Sequence, residues 1–228
     1  MPNWKTRDIL DHIQDLVGEP VGGFYNLTTR LKQLNQAQRE LVQDTRALTQ
    51  EIQLPTELGL SRYYLPNDFL TFGKECPYFK DAFATQKLQV VDASWMDDMH
   101  SDWRDDRITT NGVPMYLVTT PAYEFTLFPT PNRQGDVVIP YVVDPDELQD
   151  MDDEVFNGNE VMNRYAPALA YKVAATYMMP RVPQLGQQYL AMYNRELREM
   201  RHNLRSSPQH KSGLRPKGYK RRVHYYGE

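Results

Sequence analysis

The chain has 228 residues, 40% of them hydrophobic and 25% charged, with a formal net charge of −4. That length supports one large core or two small ones, and no apolar run approaches the roughly 18 residues that a membrane-spanning helix needs. Cys76 is the single cysteine, which excludes an intrachain disulfide and a cysteine zinc cluster; Met1-Pro2-Asn3-Trp4-Lys5 lacks the apolar stretch of a secretory signal.

Ile9, Leu10, Ile13, Leu16 and Val17 fall on one face of a helix that starts near Thr6, with Gly18 placed to end it and Pro20 preventing its continuation. The next pattern is the longest in the chain and runs over residues 26–52. Leu27, Leu34, Leu41 and Leu48 recur every seven residues, and Leu31, Gln38, Thr45 and Ile52 follow four residues after each. Asn26 suits the N-cap and Pro55 stops the pattern. Two helices joined by a short loop predict an αα-hairpin, the start of a bundle.

After Pro55 the grammar changes. Residues 60–65 are β-prone, and Leu65-Pro66-Asn67-Asp68-Phe69-Leu70 predicts a turn feeding a helical turn. Val90 and Val91 mark a strand, and Ser94 is expected to cap a short helix carrying Trp95, Met99 and Trp103. Clear strands follow at 114–119, 122–128 and 136–143; Tyr123, Phe125 and Leu127 alternate with Glu124, Thr126 and Phe128. Their short connections predict an antiparallel meander, with Pro140 at an edge or bulge.

Residues 144–154 hold seven carboxylates and no basic side chain, which predicts a solvated connector. Val161, Tyr165, Leu169, Val173 and Tyr177 restore helical spacing, with a kink or a later start at Pro167. Pro183 opens the last helix, whose face is Leu185, Tyr189, Tyr193, Leu197, Met200 and Leu204. From residue 206 onward the apolar periodicity stops. The expected fold is α+β and mainly α. Helices 1 and 2 of a four-helix bundle occupy 1–55, a small antiparallel β subdomain is inserted at 56–146, helices 3 and 4 occupy 147–206, and an extended basic tail occupies 207–228.

The charge is unevenly spread. Arg201, Arg205, Lys211, Arg215, Lys217, Lys220, Arg221 and Arg222 give residues 201–228 a net charge of +7, and residues 1–200 carry −11. An acidic body with a basic tail points to a separate partner for the tail. Within it Lys217, Lys220, Arg221 and Arg222 interleave with Tyr219, Tyr225 and Tyr226, a mixture that suits nucleic-acid phosphates or an acidic protein groove. Asp97, Asp98, His100, Asp102, Asp105 and Asp106 form the best metal candidate, yet helical spacing converges at most two of them. No phosphate loop, metalloprotease helix or nucleophile elbow occurs. No catalytic, cofactor or metal residue is therefore expected. An enzyme built on 97–106 and a nucleic-acid-binding protein using the tail are the rival classes.

Four pieces in this order resemble the head–tail adaptor (connector or neck) proteins of tailed bacteriophages. They are Leu34-Asn35-Gln36-Ala37-Gln38-Arg39-Glu40-Leu41, Tyr64-Leu65-Pro66-Asn67-Asp68-Phe69-Leu70, Leu127-Phe128-Pro129-Thr130-Pro131 with Ile139-Pro140-Tyr141, and the Ala-rich helix near 165–177. The β region is larger here than in the most compact, nearly all-helical adaptors. The resemblance implies a virion structural protein, commonly twelve copies in a ring beneath the portal protein. The ring seals the channel through which genomic DNA passes and offers a platform to a tail or nozzle protein, with no membrane partner. Lys211, Arg215, Lys217, Tyr219, Lys220, Arg221, Arg222, Tyr225 and Tyr226 become the expected portal-binding tail. Gln38 and Thr45, polar on an apolar seam, become candidates for setting register or for contacts between subunits.

Overall fold

The computed structural model describes residues 3–18, 26–100, 103–104, 110–120 and 123–206. Helix α1 (Thr6–Val17) buries Ile9, Leu10 and Ile13 and ends at Gly18, whose left-handed φ of 71° suits glycine. Its first amides donate to carbonyls of the acidic connector, Thr6 N–H to Asp153 and Arg7 N–H to Met151. Helix α2 (Leu27–Thr45) is capped by Asn26, whose Oδ1 accepts from Thr29 N–H at 2.9 Å. Here the expected helix over 26–52 is too long. Arg46 turns left-handed (φ 51°) and donates to the Val42 carbonyl, and the chain continues as strand β1 (Thr49–Thr56). Leu48 and Ile52 satisfy the heptad, but pairing along the largely buried β11 strand outweighs one more helical turn. The stretch to residue 55 is therefore not helical throughout.

Eight short strands and a helix follow: β2 (Arg62–Tyr64), β3 (Phe69–Phe72), β4 (Tyr78–Lys80), β5 (Thr85–Lys87), β6 (Gln89–Asp92), α3 (Ala93–Met99), β7 (Asn111–Gly112), β8 (Tyr116–Thr119) and β9 (Glu124–Phe128). Then come β10 (Thr130–Pro131) and the nine-residue β11 (Gly135–Val143). The segment after Asp68 is thus a strand, not a helical turn. Helix α3 is capped by Asp92, two residues before the expected Ser94, because the longer Asp92 side chain accepts from both Trp95 N–H and Ser94 Oγ at 2.7 Å. Trp103 lies beyond this helix.

One sheet runs β1-β11-β4-β5, with β3 also on β11; a second runs β2-β9-β8-β6; β7 and β10 form a parallel pair. The expected meander holds only for β8 and β9, which pair antiparallel, since β11 leaves for the other sheet and β6 pairs parallel to β8. Pro140 sits mid-strand in β11, not at an edge. Opposite it on one side β4 has ended and β3 has not begun (β4 pairs with residues 136–138, β3 with 141–143), so no ladder bond needs its missing N–H, and its carbonyl accepts from Gly73.

The chain resumes helical structure after the connector with a Val155–Gly158 turn, α4 (Glu160–Asn163), α5 (Ala166–Met178) and α6 (Pro183–Ser206). Pro167 occupies the first turn of α5, where its missing donor costs nothing. Helix α5 packs against α1, α2 and α6. The main core joins Ile9, Leu34, Leu41, Phe156, Leu169 and Met200, and the two sheets enclose a second around Phe79, Leu117, Phe125, Val137 and Ile139. Strand β11 serves both: Val137 and Ile139 fill the core between the sheets, while Tyr141, Val142 and Val143 fill the helical one. The result is a mixed α+β fold with several helices and a multi-strand β region.

Candidate functional site

All nine expected portal-binding residues, Lys211 through Tyr226, lie outside the described residues. The structure shows where the chain departs toward them. The last turn of α6 contributes Asn203 and Leu204 to the wall of a groove of about 1060 Å³. The groove is also lined by Leu48 and the start of β1 (Thr49, Gln50, Glu51), by Lys74 and Glu75 after β3, and by Asn157, Asn159, Val161 and Arg164. Asn203 Nδ2 donates to the Tyr165 hydroxyl at 2.8 Å, holding the end of α6 against the groove. Sequence reading missed this groove, because its walls come from five distant stretches. Asn157-Gly158 was the available hint: Phe156, Asn157 and Gly158 are three successive left-handed residues (φ 55°, 54° and 70°).

The structure places Gln38 and Thr45 inside their own chain rather than on its surface, at 1% and 2% exposure. Gln38 Oε1 accepts from the buried Phe156 N–H at 2.8 Å, and its Nε2 donates to the Asp146 carbonyl at 3.1 Å. Thr45 Oγ1 donates to the Leu41 carbonyl of its own helix at 2.7 Å. Gln38 therefore pins the acidic connector and the left-handed turn to α2. Asn35 adds a second clamp: its Oδ1 accepts from Leu148 N–H at 2.9 Å and its Nδ2 donates to the Leu148 carbonyl at 3.1 Å. Arg39 adds a third, forking onto Asp144 at 2.7 and 2.6 Å. That hydrogen bond holds the Arg39 guanidinium above its ordinary pKa against the opposing effect of burial. The connector, expected to be solvated, is tethered along its length, with Leu148 buried against the core.

The acidic candidate at 97–106 has a structural role where it is described. Asp97 accepts from Trp103 Nε1 and Arg104 Nη2, both at 2.8 Å. Among the described residues, no three His, Cys, Asp or Glu side chains converge as metal ligands. Asp102, Asp105 and Asp106 lie outside the described residues.

Among the described residues, Tyr193 has a strongly displaced pKa. It is 3% exposed, and its hydroxyl has no partner among the described residues. Burial, then the charges of Asp44 and Glu40, push its pKa up to about 12. Folding holds a proton that the unfolded chain releases near pH 10, so this contribution is intact below pH 10. As pH rises from 10 towards 12 stability falls, by about 1.4 kcal/mol per unit. Urea midpoints over that window are expected to drop more steeply for the natural chain than for Tyr193→Phe; parallel slopes would contradict the assignment.

A search of the curated proteins finds no match. The SU10 adaptor protein family matches residues 5–216, from the start of α1 to beyond the end of α6. That span takes in both cores, the tethered connector and the whole groove, and the family consists of non-catalytic structural proteins. The chain belongs to the SU10 adaptor family, the head–tail adaptor proteins of tailed bacteriophages.

Proposed function

We propose that the protein sits in the virion neck as a ring, commonly of twelve copies, docked beneath the portal protein and reached through the host cytoplasm during assembly. The family match over 5–216 carries this reading. In it α1, α2, α5 and α6 act as a four-helix bundle that forms the ring wall, residues 56–146 act as the β subdomain presented to a tail or nozzle protein, and 147–206 complete the bundle. The −11 of residues 1–200 lets genomic DNA pass without sticking, since a wall of like charge repels phosphate. Gln38 and Thr45 set the register of the chain beneath the subunit surface.

Residues 207–228 are the portal-binding tail. Its basic and tyrosine side chains suit an acidic groove on a partner, where Tyr and Arg are the usual anchors. Deleting residues 211–228 is expected to abolish co-sedimentation with portal particles while leaving the helical circular dichroism signal of the subunit intact. Normal docking by the shortened chain would remove the tail from the account.

A further inference from the structure

We propose that the open edge of β1 holds residues 219–226 of its own chain as an added strand until the tail engages another partner. The edge is defined by register. Val143 N–H donates to the Leu48 carbonyl, and β1 runs antiparallel to β11 with Thr49 opposite Val142. Alternation then turns the backbone groups of Gln50, Ile52 and Leu54 toward β11 and those of Thr49, Glu51 and Gln53 away from it. Among the described residues, strand β1 pairs with β11 alone. Among the described residues, no backbone bond is made on the outer side of Thr49, Glu51 or Gln53. Pro55 lies in the same outward set, so its missing donor faces the open side and limits added pairing to the 49–53 end. Unpaired edges of this length recruit strands unless charge, proline or a covering element blunts them. Glu51 is the single charge in β1, and the large groove lies beside the end that Pro55 leaves open.

The occupant follows from where the chain goes. Asn203 and Leu204 form a wall of that groove, and α6 ends at Ser206. Twelve residues separate Ser206 from Tyr219, a linker with a root-mean-square reach of about 20 Å. The run 219–226 is the tail stretch without Gly or Pro that carries Tyr219, Val223, Tyr225 and Tyr226, bounded by Gly218 and Gly227. Such residues favour strands, and the run is long enough to span the 49–53 end left open in β1. Strand addition takes its affinity from main-chain bonds and tolerates most side chains. The charges of Lys220, Arg221 and Arg222 complement Glu51 and Glu75, which line the groove together with Lys74 and Arg164. Tethering gives the segment an effective concentration of roughly millimolar, above any free copy of the chain. This docking stands independently of the portal reading, since it is a property of the isolated subunit.

Amide hydrogen exchange on the isolated full chain tests it. Thr49, Glu51 and Gln53 are expected to exchange about tenfold or more slowly than in the full-length Val223→Pro variant, whose proline breaks the added strand. Gln50, Ile52 and Leu54, bonded to β11, should be equally protected in both and so report an intact sheet. A chain ending at Ser206 should match the variant. Equal, fast exchange at Thr49, Glu51 and Gln53 in both full-length proteins overturns the proposal, as does protection that grows with protein concentration, which would mean a second copy on the edge.

Discussion

Replacing Gln38 by Leu is expected to cost about 2–3 kcal/mol, read as a lowered urea midpoint with an unchanged slope. Leucine matches the volume but provides neither bond. The Asp146 residue is exposed, so water can replace the bond to its carbonyl. Phe156 is fully buried, so its N–H loses its acceptor with no substitute. That amide belongs to the run of three left-handed residues, whose unfavourable backbone persists because the surroundings hold it. Thr45→Val provides the contrast. The Thr45 hydroxyl donates to a carbonyl of its own helix that is already part of the helical ladder, and its loss should cost less than about 1 kcal/mol. Equal losses at the two positions would mean that Gln38 does not clamp the connector.

Gly186→Val is expected to be at least as damaging, about 3 kcal/mol, or a fall in melting temperature of roughly 6–12 °C. A Cβ at position 186 would sit 2.8 Å from both the N and Cα of Met179. Those are backbone atoms at the end of α5, so no side chain can rotate away, and α6 must shift off α5 as a unit. The same shift would loosen Tyr189, which packs with Ala174 and Tyr177 across the helix pair. Gly59 marks the other extreme. Its φ is 76° but nothing lies within 4 Å of an added Cβ, so Gly59→Ala should cost only the backbone penalty, about 1 kcal/mol. A melting temperature for Gly186→Val close to that of Gly59→Ala would contradict the close approach of α5 and α6.

Much of the helical part was legible because its punctuation is chemical. Gly18, Pro167 and Pro183 mark helix boundaries through φ preference and the missing proline donor, and all three mark them in the structure. The end of α2 was not legible. Leu48 and Ile52 fit a heptad, while Ile52 and Leu54 also fit strand alternation, and only β11 decides between the two. Strands β4 and β5 are three residues each, and β5 is exposed throughout, so neither carries a periodic signal. Pro140 misled for a geometric reason: the rule that places proline at an edge concerns one side of one residue, and on that side β11 has a gap. The two seam polars were visible in sequence as anomalies, but the partners of Gln38, Asp146 and Phe156, lie more than a hundred residues away, while Thr45 bonds within its own helix. The groove, apart from the Asn157-Gly158 hint, was hidden for the same reason, its lining being spread along the chain.

Membership in the adaptor family and the basic end of the chain converge on one claim, that copies of this subunit gather on a portal. Particle mass, measured for the protein alone and after mixing with purified portal, tests it most directly. The account predicts monomers in the first sample and a portal carrying one added ring of subunits in the second. Monomers that persist in both, with the portal mass unchanged, would contradict it.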